Sequence, residues 1–175
     1  TYTPPVDFTG VRTFVYRAND GSVNSGNATV TINVNPIVQT FAGALTLDQF
    51  GGDPATIPAT LEIRPVGSTT PVATFPLTLS TTGFFSVTKN PRLAPGNYDF
   101  AVKASHWLRT VKTVSVAKSG ALNLKFTLIN GDIDGDNAVT VFDYAELSDA
   151  FDSSVGDPNW NPNADLDGDG SVTVF

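Results

Sequence analysis

Asp132, Asp134 and Asp136 alternate with Ile133 and Gly135 in the run Asp132-Ile-Asp-Gly-Asp-Asn-Ala-Val-Thr-Val-Phe-Asp143. The pattern returns thirty-three residues later in Asp165-Leu-Asp-Gly-Asp-Gly-Ser-Val-Thr-Val-Phe175. Carboxylates at every second position of a Gly-containing turn gather hard oxygen donors round one point, and the chemistry this suits is capture of a hard cation. The twelve-residue calcium loop draws its ligands from positions one, three, five, seven (a backbone carbonyl), nine (often through water) and twelve. In the first run these are Asp132, Asp134, Asp136, the Ala138 carbonyl, Thr140 and Asp143. In the second they are Asp165, Asp167, Asp169, the Ser171 carbonyl and Thr173, with position twelve falling just past Phe175. The expectation is one complete Ca2+ site and a second completed by residues outside the chain. Position six, where the loop turns sharply and Gly is usual, is Asn137 in one copy and Gly170 in the other. Asn is tolerated because it visits left-handed backbone more readily than most residues.

Charge supports the reading. The net charge is −7, but all ten Lys and Arg lie before Asn130. Residues 1–129 carry six acids, and residues 130–175 carry eleven acids and no base. A compact segment with that much unpaired negative charge repels itself, and bound divalent cations relieve the repulsion. The alternative is a disordered acidic tail, against which stand the ligand spacing and the interleaved Ile133, Val139, Val141, Phe142, Tyr144, Leu147 and Phe151.

The elements that must hold these loops are mostly strands. Thr, Val, Gly, Pro and Asn crowd the first three quarters of the chain, a composition of strands and tight turns. Alternation predicts strands at 11–18 and 28–34 around the Asn19-Asp20-Gly21 turn, and near 38–47, 59–64, 71–79, 83–88, 96–104, 109–116 and 121–128. Seven such strands after Asn35-Pro36 are enough to close a sandwich. Tyr144, Leu147 and Phe151 fall at helical spacing, so a helix of about two turns follows the first loop. The segment before the loop, Leu122–Leu128, alternates like a strand, which leaves half an EF-hand: a loop and exit helix with no entering helix.

Three resemblances follow from these residues. Tyr2–Gly10, Thr13–Tyr16, Asp20-Gly21 and Ala28–Val34 resemble the C-terminal half of the cadherin-like or Ig-like repeats of large bacterial surface proteins. This implies an adhesive or spacing stalk, unless these strands join the sheets that follow. Ala94-Pro-Gly-Asn-Tyr-Asp-Phe-Ala-Val-Lys-Ala-Ser105 resembles a strand of the transthyretin-like, carboxypeptidase-regulatory-like sandwiches, which are usually non-catalytic. Trp160-Asn-Pro-Asn-Ala-Asp-Leu-Asp-Gly-Asp-Gly170 and the two loops resemble a type I dockerin module over 130–175. That last resemblance implies calcium at the positions named above and a protein partner met through loop positions ten and eleven, here Val141-Phe142 and Val174-Phe175. These pairs are apolar where the hydroxyl pair is common in cellulosomal dockerins.

The expected fold is therefore mainly β: a partial repeat at 1–36, an Ig-like or transthyretin-like β-sandwich at 37–129, and a small α-helical, EF-hand-like calcium module at 130–175. Catalysis is poorly provided for, with one His, no Cys, and the acids outside the tail (Asp7, Asp20, Asp48, Asp53, Glu62, Asp99) scattered over turns and strands. Trp107, beside His106, offers an aromatic face for a sugar ring or simply core packing, and Asp48 and Asp53 offer a cation site or turn formers. The expected function is a non-enzymatic assembly segment of a secreted or cell-surface bacterial protein, with a cohesin-like domain or a neighbouring copy as partner. Two other readings are open, a filament or surface-layer subunit joined by strand complementation and calcium, and a polysaccharide-binding module. No nucleic-acid partner is expected, and no apolar run is long enough to span a membrane. The absence of Met reads as a piece of a longer protein.

Overall fold

Period-two alternation decides the architecture. In the computed structural model, which describes all residues except 1, 6, 7, 36, 37, 90, 91, 174 and 175, the apolar members of the alternating runs between Gln39 and Leu128 turn to one interior. The strands are β1 (Gly10–Tyr16), β2 (Ala28–Val34), β3 (Gln39–Leu47), β4 (Ala59–Pro65), β5 (Ala73–Leu77), β6 (Phe84–Lys89), β7 (Gly96–Ala104), β8 (Trp107–Val116) and β9 (Gly120–Leu128). One helix, α1 (Val141–Ala150), and two short strands, β10 (Ser153–Ser154) and β11 (Ser171–Val172), complete the chain.

β3 to β9 form two sheets. One is ordered β6-β3-β9, with β3 and β9 parallel, and the other β5-β4-β7-β8. Between them lie Phe41, Leu45, Leu61, Ile63, Phe85, Phe100, Val102, Phe126 and Leu128, all at most 2% exposed. At about 1.5–3 kcal/mol for each large apolar side chain buried, this core is the main source of stability. Gln39 is buried with it because its side-chain amide is fully used: Nε2 donates to the Leu93 and Ala117 carbonyls, and Oε1 accepts the Leu93 amide.

β1 and β2 pair antiparallel in a separate ribbon. Phe14, Val15 and Tyr16 remain half exposed, since two strands cannot enclose a core. The strand expectations hold to within a residue or two, with one consequential shift: β8 begins at Trp107, which puts that residue in the sheet. Among the described residues no helix is long and apolar enough to cross a membrane.

Candidate metal centre

The first loop leaves β9 without any entering helix. Its first residue is fixed from the sandwich, where the His106 carbonyl accepts the amides of both Gly131 and Asp132. From there each aspartate organises the backbone ahead of it. Asp132 Oδ1 accepts the Asn137 amide at 3.0 Å, Asp134 Oδ1 the Asp136 amide at 3.0 Å, and Asp136 Oδ1 the Ala138 amide at 2.8 Å. The curl requires left-handed backbone at positions four and six, met by Gly135 (φ +80°) and Asn137 (φ +73°). Asp132, Asp134 and Asp136 each offer an oxygen, all within 4.8 Å of one another.

The second loop repeats the scheme residue for residue. Asp165 Oδ2 accepts the Gly170 amide, Asp167 Oδ1 that of Asp169, and Asp169 Oδ1 that of Ser171. Gly168 (φ +75°) and Gly170 (φ +90°) stand where Gly135 and Asn137 stood. Asp165, Asp167 and Asp169 form a second cluster within the same 4.8 Å. Burial, opposed by the Gly170 and Gly168 amides, raises the Asp165 carboxyl above the ordinary range, the condition a neighbouring cation would relieve. Each triplet can hold a metal ion. An all-oxygen, carboxylate-rich set is the donor chemistry of hard divalent cations, not of the nitrogen- and sulfur-seeking transition metals.

Asp143 stands outside the first cluster. Its Oδ1 accepts the Ile133 and Asp134 amides at 2.7 and 3.2 Å, and its Oδ2 the Thr140 amide at 2.6 Å. Burial alone pushes its acidity the other way, but these amides hold the carboxyl below its usual value. Thr140 is the N-cap of α1, its Oγ1 accepting the Phe142 amide at 3.1 Å, and with Asp143 it forms a capping box. The helix therefore starts at Val141, inside the loop and three residues earlier than its apolar spacing indicated. The packed face also differs: Ala150 and Leu147 join Ile133, Ala164 and Val172 in a small cluster, while Tyr144 and Phe151 are exposed. Ala138 and Thr173 are exposed at the loop surfaces and Ser171 pairs with Ser154 in the β10–β11 ribbon.

The second loop and the residues just before it are tied back to the sandwich and its exit. Gly51 donates to the Asp167 carbonyl at 2.9 Å, Asn130 Nδ2 to that of Leu166 at 2.7 Å, and Ser105 Oγ to Asn163 Oδ1 at 2.7 Å. The Phe50 ring packs so close to Gly168 that a Cβ there would lie 2.2 Å from it. None of these ties follows a local pattern, and they could not be read from spacing.

Trp107 is not a sugar platform. It is fully buried, stacked on His106 with ring centroids 3.8 Å apart, edge-on to Phe50 at 5.4 Å, and its Nε1 donates to the Asp48 carbonyl at 3.1 Å. Of the two readings open to it, core packing holds, because Trp107 opens an inward-facing strand position. His106 is equally enclosed, with both ring nitrogens unpartnered. The nearby Asn163 amide is committed to Ser105 and Ile133. Burial first and Lys103 second pull its pKa down to about 4, which keeps it neutral. Asp53 caps the 3-10 turn Pro54–Thr56 by accepting the Ala55 amide, as a turn former does.

No protein-family model and no curated protein matches the chain. Solved structures do. A chain from an N-terminal interface mutant of a type II cohesin–X–dockerin complex of Acetivibrio cellulolyticus superposes with a TM-score of 0.59 at 24% identity, over 77% of this chain and 88% of that one. A C-terminal interface mutant of the type II complex from the same organism gives a TM-score of 0.52 at 19% identity over the same shares. At these identities the likeness is one of fold, and it agrees with a mainly β, sandwich-containing chain. Of the residues considered for partner contact, Val141 and Phe142 are 70% and 68% exposed, and Val174 and Phe175 lie outside the described residues.

Proposed function

We propose that the chain is a non-enzymatic assembly segment of a secreted or cell-surface bacterial protein: a partial repeat at 1–36, a β-sandwich at 37–129, and a dockerin-like, calcium-stabilised attachment module at 130–175. The observation that carries the reading is the recurrence, thirty-three residues apart, of one carboxylate-to-amide scheme with left-handed residues at positions four and six. A repeated loop that gathers three carboxylates round one point supports a shared role in holding a cation. Calcium on both clusters offsets the self-repulsion of eleven acids with no base.

The partner is a protein, a cohesin-like domain or a neighbouring copy. Val141, Phe142 and Tyr144 form an exposed apolar stripe on α1, and apolar side chains grouped on an otherwise acidic surface mark an interaction site. Four of the acids outside the module have structural duties: Asp20 and Asp53 hold turns, Glu62 pairs with Arg64, and Asp99 accepts from Thr113 and Gly67. Together with the unpartnered His106, this supports a binding role rather than a catalytic one.

Isothermal titration with Ca2+, or terbium luminescence, on the chain and on Asp132→Ala/Asp136→Ala tests the metal assignment. Loss of one binding event is expected, and unchanged uptake by the double variant would overturn it. Phe142→Ser should leave stability within about 0.5 kcal/mol and abolish capture of a cohesin-like domain or of a second copy; full capture would remove the α1 stripe from the reading.

The filament reading draws on one observation, the half-exposed apolar residues of the β1–β2 ribbon. Strand addition from a neighbouring copy would cover them. Size-exclusion chromatography with and without chelator separates the two, because a monomer under both conditions rules out polymerisation.

A further inference from the structure

We infer that Lys103 is a tethered counter-cation for the first loop: it holds Asp132 in place when no metal is bound, and it weakens calcium binding at this loop. The inference deepens the calcium reading above and rests on it in part.

At positions one, three and five the two loops share every carboxylate-to-amide bond but one. The second oxygen of Asp165 accepts the Gly168 amide at 2.9 Å. The second oxygen of Asp132 instead meets the Lys103 ammonium in an ion pair. Asp132 is fully buried, so this partner cannot be replaced by water without opening the loop. The same ammonium donates to the carbonyls of Ser105 and Trp107, each at 2.7 Å. An ammonium has three N–H donors, and all three are taken by one seat of a carboxylate and two carbonyls.

The sandwich builds this seat deliberately. The β7–β8 register slips between Val102 and Ala104, opposite a longer stretch of β8, and a bulge of this kind re-aims side chains and frees amides from the ladder. Lys103 lies at the slip. The Arg109 amide, released on the other side of it, donates to Asn137 Oδ1 at 2.5 Å. Positions one and six of the loop are thus both held by residues of the β7–β8 hairpin, which takes over the role of an entering helix.

Two consequences follow for a divalent ion. Its binding no longer has to pay the whole cost of ordering the loop, since Lys103 and Arg109 already do so. Against this, an ion on the other oxygen of Asp132 stands roughly 5 Å from a fixed positive charge. That repulsion weakens binding by at least about tenfold even at the dielectric constant of water.

The test uses the full chain carrying Asp167→Ala, which leaves only the first loop to titrate, and compares it with the same chain bearing Lys103→Met or Lys103→Arg. By calorimetry Lys103→Met should bind Ca2+ at least about tenfold more tightly, and Lys103→Arg should keep the weaker affinity. In chelator, hydrogen exchange at the Asn137 amide should speed up in Lys103→Met, and Lys103→Arg should preserve its protection. Equal or weaker Ca2+ binding by Lys103→Met overturns the inference, as does unchanged exchange at Asn137. Absence of Ca2+ binding by the unmodified chain at both loops refutes the calcium reading itself, while the exchange arm still decides whether Lys103 holds the loop closed.

Discussion

Replacing Asp143 with Ala removes, in the metal-free protein, the acceptor for three backbone amides at once. The Ile133, Asp134 and Thr140 N–H groups all converge on its two oxygens, and the capping box of α1 goes with it. A hydrogen bond to an ionised acceptor contributes about 1.5–3 kcal/mol when fully sheltered. The loop around Asp143 is open to water on the Asp134–Thr140 side, so about 1 kcal/mol for each amide is the appropriate figure, the Thr140 amide being the Asp143 leg of the capping box. The sum, roughly 3 kcal/mol, falls on a module whose own apolar cluster is small, and such a module opens before the sandwich does. Hydrogen exchange in chelator is the direct assay: the Ile133 and Thr140 amides of Asp143→Ala should exchange about a hundredfold faster or more, with amides in β3 and β7 unaffected. Protection at Ile133 and Thr140 equal to that of the parent chain would refute the clasp, and with it the claim that the loop is ordered before metal arrives. The same variant should also bind Ca2+ more weakly if Asp143 turns to the ion as position twelve.

Two further outcomes are expected. Because the buried His106 has a folded-state pKa of about 4, below its ordinary 6.5, its neutral form contributes stability that is complete above about pH 6.5 and is lost as the pH falls toward 4; urea unfolding in chelator should show a loss of roughly 2–3 kcal/mol over that window, absent in His106→Gln. The Asp143 contribution has the acidic sign and a lower window, present above about pH 4 and lost below it, so the two separate on the pH axis. Gly168→Ala combines φ +75° with a Cβ 2.2 Å from the Phe50 ring, and should cost about 2 kcal/mol or more, with a double-mutant cycle against Phe50→Ala recovering part of it; additive effects would contradict the packing.

Alternation made the sandwich legible, since Leu61 and Ile63, Phe100 and Val102, and Leu124, Phe126 and Leu128 announce inward faces two residues apart. The loops were legible for the same reason, aspartates at every second position being a periodic signal. The start of α1 was missed although its signal was present: Thr140 and Asp143 are spaced as a capping box, but both had been assigned to the metal. Trp107 stayed open between a sugar face and core packing because a strand beginning cannot be told from a loop end by pattern. Lys103 and Asp132 lie twenty-nine positions apart, Gly51 and Asp167 much further, and such ties are set by where the sheets deliver the chain.

The parallel pairing of β3 with β9 carries a mechanical consequence. The chain enters the sandwich at Gln39, the start of β3, and leaves it at Leu128, the end of β9, so a pull applied to the flanking segments draws these two bonded strands past each other lengthwise. Every rung from Thr40 to Leu47 then bears load together, in shear, where an antiparallel pair pulled from one end would open a rung at a time. The first and last strands of the sandwich form a clasp that tension along the chain meets broadside.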